Sequence, residues 1–413
     1  MPESPETTRA ARVIARCREL ARITDVPGET TRLFLSPATR DAHTLLTWWL
    51  RQAGLGSRTD DAGNLRAVRP AAKPGAPTLV LFSHIDTVPN AGAFDGPLGV
   101  ILALAAIEEL HQTPLPFAIE IIAFSEEEGV RFGFPFLSSL AVTGKLAPEL
   151  LTRADANGTT VAQAITEFGL NPANIATTCP LATHTFAAIE VHIEQGPVLE
   201  AQDASIAVVE SIIGQSRLHL TFTGQSNHAG TTPMALRRDA LAAAAQWVTE
   251  VERYAASYTQ LVATVGRLEV TPGAINVVPG SVRATLDVRH PKDESRHAAV
   301  AHLLTKAESA AALRGVTVSA TLDSEQKAVP MNRELTVKLH QAAERAGFDA
   351  QSIFSGAGHD AMILAPSVPT AMLFLRSPGG LSHHPDEAVR EQDVEAALAT
   401  LLNLLLHLHP QSS

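Results

Sequence analysis

A chain of 413 residues with 45% hydrophobic content can bury a large core and is more readily two domains than one. Its 32 basic and 43 acidic residues leave a net charge of −11, which disfavours a polyanionic partner, so no nucleic acid is expected. No apolar run approaches the roughly 20 residues that span a bilayer, and the start, MPESPETTRAARVIARCREL, lacks the apolar core of a secretory signal; no membrane partner and a cytoplasmic location are the expectations. Cys17 and Cys179 are too few for a disulfide framework and lack the spacing of a thiolate zinc site, which leaves His and carboxylate to hold any metal.

Residues 7–22 and 39–53 read as helices, and TLVLF (78–82), FAIEIIAF (117–124) and AAIEVHI (187–193) as strands buried on both faces. Such strands are central and parallel, which predicts an α/β domain. Between the first two, PLGVILALAAIEEL (97–110) has helical length, with Asp95 and Gly96 at its start where a cap belongs. The three strands end in SHID, SEEEG and EQG, and polar chemistry at the carboxyl ends of parallel strands is expected to converge on one site. From Gly214 the pattern changes to a strand (217–224), a long Ala-rich helix (235–258), two strands (261–270 and 281–289), a helix (294–313) and a strand (315–322). That β-α-β-β-α-β order predicts a small ferredoxin-like domain over residues 212–329, inserted between 1–211 and 330–413. A helix (332–346), the strand PTAMLFL (369–375) and a final helix (391–408) then resume the first pattern, and no internal repeat is evident.

Four polar constellations stand out. In His84-Ile85-Asp86, one ring nitrogen is available to a metal while Asp86, on the same side of the strand, accepts a hydrogen bond from the other; a polar pair capping a strand is the plain alternative. Asp95 serves equally as the N-cap of the helix that follows. In Ser125-Glu126-Glu127-Glu128-Gly129, three carboxylates at the mouth of a core are costly unless cations offset them. A solvated run is the usual reading of Glu-Glu-Glu, but its place directly after FAIEIIAF favours metal or acid-base chemistry. Period-2 alternation puts Glu190, His192 and Glu194 on one face, where one of them is a ligand candidate. Adjacent His383 and His384, in the SHHP loop 382–385, point different ways, so at most one ligates; singly, each is more often an ordinary loop residue.

Together these segments resemble the co-catalytic metal hydrolases of the M20 peptidase clan, in the branch of allantoate amidohydrolase, N-carbamoyl-L-amino acid hydrolase and β-ureidopropionase. RLFLSPA (32–38), SHIDTV, FDGPLGV, EEEGVRF, HIEQGPVLE, NHAGTTPM, INVVPG, DVR, SGAGHD and SHHP occur in the family's order over most of the chain. The resemblance implies two divalent ions, zinc or manganese with cobalt an option, held by His84, His192 and a bridging Asp95, with Glu128 and His383 completing the second ion. It implies Glu127 as general base, the register being counted back from Gly129 because Glu126 adds a third acid, and Asp86 behind His84 orienting the imidazole. It also implies that a homodimer forms, that the inserted domain acts as a lid, and that His228 from one subunit reaches the other's site. His228, Asn276 and Arg289 match substrate-contacting positions, with Gln195 and the loop bearing Gly356 and Gly358 as further substrate-facing elements and His359 and Asp360 as supporting groups.

The substrate implied is a small ureido carboxylate that releases ammonia and carbon dioxide. Gly214-Gln215-Ser216-Arg217 resembles the allantoate type, with Arg217 a second anchor, whereas HIEQGPVLE is shared with N-carbamoyl-L-amino acid hydrolases. An aminoacylase or dipeptidase of the wider clan is disfavoured by His rather than an acid at 192. A serine amidase lacks its Gly-x-Ser-x-Gly elbow, and Cys179 in TTCP has no recognisable partners for a cysteine mechanism. A non-catalytic binding protein would have lost ligands that are all present here.

Overall fold

The computed structural model describes residues 8–410. Four strands, Ala118–Phe124, Thr78–His84, Thr185–Ile193 and Thr370–Leu375, lie side by side in that order and run parallel at the centre of a nine-stranded sheet. Leu65–Arg69 and Gly56–Thr59 extend it antiparallel on one side. Ile206–Ile212 lies antiparallel on the other, where it also pairs with Val329–Pro330 and Gln351–Ser355. The fold is mixed α/β with a mainly parallel centre.

The apolar runs follow from this placement, because side chains alternate between two covered faces. Leu79, Leu81, Ile119, Ile121, Ile189, Val191 and Leu373 join one core with the helices Arg9–Ala21, Pro37–Gln52, Pro97–Glu109, Arg333–Arg345 and Glu391–His407. Val80, Phe82, Ile122, Phe124, Met372 and Phe374 are equally buried on the opposite face, where the short helix Asp360–Leu364 packs. Pro97–Glu109 is apolar all round because it is buried throughout its first eleven residues. A Cβ at Gly99 would stand 2.1 Å from the Val191 carbonyl oxygen, so glycine is what lets this helix lie against the strand bearing His192. Asp95 is not its N-cap: Gly96 takes that position at φ +85°, no side chain caps the helix, and the Asp95 carboxylate turns elsewhere. Strands Gly56–Thr59, Leu65–Arg69, Ile206–Ile212 and Gln351–Ser355 and helices Leu137–Val142 and Val161–Glu167 add to the elements read from sequence.

The chain divides into two units, one taking the described residues up to Glu210 and from Met331, the other Ser211–Pro330. In the second, strands run Leu268–Thr271, Ser281–His290, Gly214–Thr223, Thr317–Gln326, all antiparallel. Val262–Thr264 also pairs with Ser281–His290, so the segment 261–270 is two strands, interrupted around Gly266, rather than one. Leu218, Leu220, Phe222, Val282, Ala284, Leu286 and Val288 form a core with helices Ala240–Ala256 and Asp293–Ala312. Trp247 lies at its centre and donates its indole N–H to the Leu303 carbonyl at 3.0 Å. No helix among the described residues is long and apolar enough to cross a membrane.

Candidate active site

The parallel strands deliver their polar ends to one place. His84 ends its strand, His192 lies one residue before the end of the next, and the turns after Phe124 and Leu375 carry Glu126–Glu128 and His383. Three groups of potential ligand atoms gather within 4.8 Å: His84, Asp95 and His192; Asp95, Glu128 and His383; and His84, Glu127 and Glu128. Asp95 Oδ1 lies 3.3 Å from His192 Nε2 and 4.0 Å from His84 Nε2, while Oδ2 lies 3.2 Å from His383 Nε2. His383 Nε2 is 3.5 Å from Glu128 Oε1. Each Asp95 oxygen thus faces a different set of imidazoles.

The ring nitrogens supply a test of whether these residues suit a cation. His84 Nδ1 is 3.1 Å from the Asp86 carbonyl oxygen, and His192 Nδ1 is 2.9 Å from that of Ile193. Carbonyls only accept, so each Nδ1 carries the hydrogen and each Nε2 presents a lone pair. Those two lone pairs face one another at 3.3 Å beside a carboxylate. Such an arrangement is repulsive without a shared cation, and the donor set suits a divalent metal. Without one, a proton must do that work. Burial disfavours a charge on both rings; at His84 the hydrogen bond to Asp86 and the charges of Glu127, Asp86 and Glu128 outweigh it and raise the pKa well above the usual value. At His192 burial prevails over the Asp95 charge, with His84 adding to it, and the pKa falls to about 4.

The acids divide likewise. Burial raises Asp95, but the hydrogen bond with His383 and the charges of His192 and His84 outweigh it and hold the carboxyl below the usual range. The same bond to Asp95 pushes His383 up to about 9. Glu128 is pushed up to about 7 by burial and the Asp95 charge. Burial raises Glu127 well above the carboxylate range, against the pull of His84. Glu126 is also buried and raised, first by burial and then by the Asp86 charge. The Asp86 carboxylate accepts from the amides of Glu127 at 3.0 and 3.1 Å and of Glu128 at 3.0 Å, and stands 3.4 Å from His84 Nδ1. It therefore ties the acidic turn to the strand that bears His84.

Other residues also shape this centre, Arg32 among them without a role assigned from sequence. The buried Arg32 guanidinium donates to the carbonyl of Ile85 at 2.6 Å and to those of Leu20 and Ile23 at 3.0 Å, bracing the strand end between His84 and Asp86. A Cβ at Gly96 would lie 2.4–2.5 Å from three ring atoms of His84, and its φ of +85° independently calls for glycine. Gln195 and His383 hold left-handed backbone conformations, φ 59° and 55°, at a cost of roughly 1–3 kcal/mol each that surrounding contacts must offset. Gln195 Nε2 donates to both Asp95 oxygens at 3.0 and 3.1 Å, and Ser382 Oγ donates to Oδ2 at 3.0 Å. Glu190 is fully buried, with Oε2 accepting from the Ala361 amide, while the His359 ring packs edge-on 4.6 Å from that of His192. Gly358 abuts Phe136, whose Cζ would be 3.0 Å from an added Cβ. Close packing against that ring accounts for glycine there.

The second unit carries its own polar cluster. Paired registers Arg217 with Asp287 and Gln215 with Arg289 put these four side chains on one face, opposite the helices. Asp287 Oδ2 accepts from Gln215 at 2.7 Å, Arg217 Nε at 3.2 Å and Arg289 Nη2 at 3.0 Å, and Oδ1 accepts from Arg289 Nε at 3.0 Å. Two guanidiniums thus share one carboxylate. The period-2 placement of Asp287 before Arg289 was the available signal for it. His228 and Asn276 are exposed, and the short ladder between Asn227–His228 and Val277–Val278 keeps them near one another. His228 Nδ1 accepts from the amides of Gly230 and Thr231 at 3.1 and 3.2 Å, which leaves the hydrogen on Nε2.

Comparison with known proteins agrees with this chemistry. Residues 80–407 match Peptidase family M20/M25/M40. An N-carbamoyl-L-amino acid amidohydrolase of Geobacillus stearothermophilus is 37% identical over 96% of this chain and 98% of its own. A probable allantoate deiminase of Oryza sativa subsp. japonica is also 37% identical, over 95% of this chain and 87% of its own. The crystal structure of a hydantoinase/carbamoylase family amidase from Burkholderia multivorans superimposes with a TM-score of 0.90 at 35% identity, covering 96% of this chain and 97% of that one. With a match across most of its length and relatives of this similarity, the chain belongs to peptidase family M20/M25/M40.

Proposed function

We propose that this chain hydrolyses the ureido group of a small carboxylate with two divalent ions per subunit, allantoate being the preferred substrate. The observation that carries the metal chemistry is the pair of Nε2 lone pairs of His84 and His192, 3.3 Å apart beside Asp95. One ion would be held by His84, His192 and Asp95 and the other by Asp95, Glu128 and His383, groups whose donor atoms lie close enough together. Zinc, manganese and cobalt all suit His and carboxylate donors. When bound, the two ions supply Lewis acidity, acidifying water and polarising the substrate carbonyl. Glu127 takes the proton of the attacking water at its carboxylate and returns it to the departing nitrogen. Asp86 keeps the His84 ring and the acidic turn aligned, and Gln195 fixes the Asp95 carboxylate while facing substrate.

The second unit supplies binding groups in this reading. Arg217 and Arg289 hold the substrate from one sheet face, Asn276 orients a ureido group, and His228 donates its Nε2 hydrogen to the developing oxyanion. The unit serves as a ferredoxin-like lid and dimerisation domain, with His228 of one subunit acting in the site of the other, and Gly358 lies on the substrate-facing loop. Allantoate carries one carboxylate and two ureido arms, so Arg217 beside Arg289 gives a second anchor something to hold. N-carbamoyl-L-amino acid hydrolysis is the second reading, favoured by the equal 37% identity to relatives named for either activity. Ammonia release by Mn2+-reconstituted protein decides between them: allantoate is expected to exceed every N-carbamoyl-L-amino acid at least tenfold in kcat/KM, one tenfold step being about 1.4 kcal/mol. The opposite order assigns the second reading. Silence on all ureido substrates, or activity that survives exhaustive chelation, overturns the proposal.

A further inference from the structure

Asp95 sits in a loop, and something other than regular secondary structure has to set its direction. The Glu387 carboxylate, nearly three hundred residues away in sequence, accepts through one oxygen, Oε1, from the amides of Phe94 at 2.8 Å and Asp95 at 3.0 Å. Glu387 is 6% exposed, and its other oxygen has no hydrogen-bond partner among the described residues. The contact is close: a Cβ at Gly92 would fall 2.3 Å from Glu387 Cβ and 2.6 Å from Oε1, so only glycine lets this acid reach the loop. Glu387 is itself anchored by its amide, which donates to the His384 carbonyl at 3.0 Å, one residue beyond His383. One side chain therefore joins the loop of Asp95 to the loop of His383, whose Nε2 and Asp95 Oδ2 stand 3.2 Å apart.

We propose that Glu387 is a positioning residue that sets the two oxygens of Asp95 toward separate ions, and so governs occupancy of both. This rests on the dimetal reading above. Its action is through the oxygen that receives two amides, not through its charge. A side-chain amide at this position keeps such an oxygen, whereas a methyl group does not. Because Asp95 serves both ions, loss of the clamp weakens both, in contrast to loss of His383, which touches one group of ligands only.

The test is titration of chelator-treated wild-type, Glu387→Gln, Glu387→Ala and His383→Ala proteins with Mn2+, the free ion counted by its electron paramagnetic resonance. Wild-type and Glu387→Gln are expected to take two ions with affinities within about threefold of each other. Glu387→Ala is expected to weaken both ions by about 10- to 100-fold, the range for lost groups behind metal ligands, and His383→Ala one ion. If Glu387→Ala does not fold, as judged by a cooperative melt, Gly92→Ala provides the second displacement of the acid and is expected to weaken both ions likewise. Unchanged Mn2+ affinities in a folded Glu387→Ala, or in Gly92→Ala, overturn the proposal, as does Glu387→Gln binding as poorly as Glu387→Ala. A wild-type chain that takes up no Mn2+ overturns the dimetal reading and this role with it; wild-type uptake of two ions with an indifferent Glu387→Ala overturns this role alone.

Discussion

Glu127 and Glu128 are neighbours in one turn, yet their side chains meet different partners. Both lie with His84, but Glu128 alone also joins His383 and Asp95, and Glu127 is the acid assigned to proton transfer. Glu127→Gln keeps shape and hydrogen-bonding size but removes the base. It is expected to lower kcat by about 10²- to 10⁴-fold, leave KM within about threefold and leave Mn2+ stoichiometry at two, as read from steady-state kinetics and metal titration. A kcat within twofold of wild type would remove Glu127 from that role. At this scale sequence shows residue type and spacing, and thereby the imidazoles and acids at strand ends. It could not show that Asp95 leaves the helix cap to Gly96, because that depends on a φ of +85° and on the His84 ring occupying the space of a side chain. Nor could it single out Glu387, whose partners are backbone amides of a distant loop.

At the scale of elements, the two units rest on separate cores, and among the described residues the groups of potential metal-ligand atoms all lie in the first. Trp247→Ala removes the largest buried side chain of the second core together with its bond to Leu303. It is expected to cost about 3–5 kcal/mol in the denaturant unfolding of that unit. Under conditions where the unit is lost, Mn2+ uptake should persist while ureido hydrolysis disappears, since the proposed carboxylate anchors Arg217 and Arg289 stand on its strands. Joint loss of Mn2+ uptake would instead mean that the first unit depends on the second for its fold. The buried parallel strands were legible because burial on both faces selects unbroken apolar runs. The edge strand Gly56–Thr59 and its neighbour Leu65–Arg69 were not, being short and mixed in polarity, and the break at Gly266 hid within a run of strand-forming residues.

For the whole molecule, the concentration of buried acids couples stability to pH and to metal. Glu128, Asp360 and Glu387 are each raised to about 7, burial being the largest cause, and His383 is raised to about 9 by its bond to Asp95. In the folded, metal-free chain these groups hold protons more tightly than in the unfolded chain, so the stability they contribute is present at lower pH and lost as pH rises through those values. The lowered histidines, His192 at about 4 and His43 at about 3, act in the opposite sense but only below their unfolded values near 6.5. Between about pH 6.5 and 8.5 the chelated chain is therefore expected to lose melting temperature. Mn2+ at a hundredfold its Kd should add about 2.7 kcal/mol per independent site, and at one fixed Mn2+ concentration the added stability should grow toward the upper end of that range, where fewer ligand groups hold protons. Thermal melts with and without Mn2+ across this range check it, and a melting temperature that rises with pH in chelator would contradict it.

Local chemistry, written in the order of residues, determined that this chain builds a parallel-strand core with imidazoles and carboxylates at the strand ends, because side-chain period and apolar run length are properties of the chain itself. Only the tertiary structure decided which of those groups share a space. The approach of Asp95 to His192 and His383, the facing lone pairs of His84 and His192, and the reach of Glu387 across to the Asp95 loop all join residues that are far apart in sequence. Distances of 3 Å between such residues arise from strand order and close packing, and no local pattern encodes either.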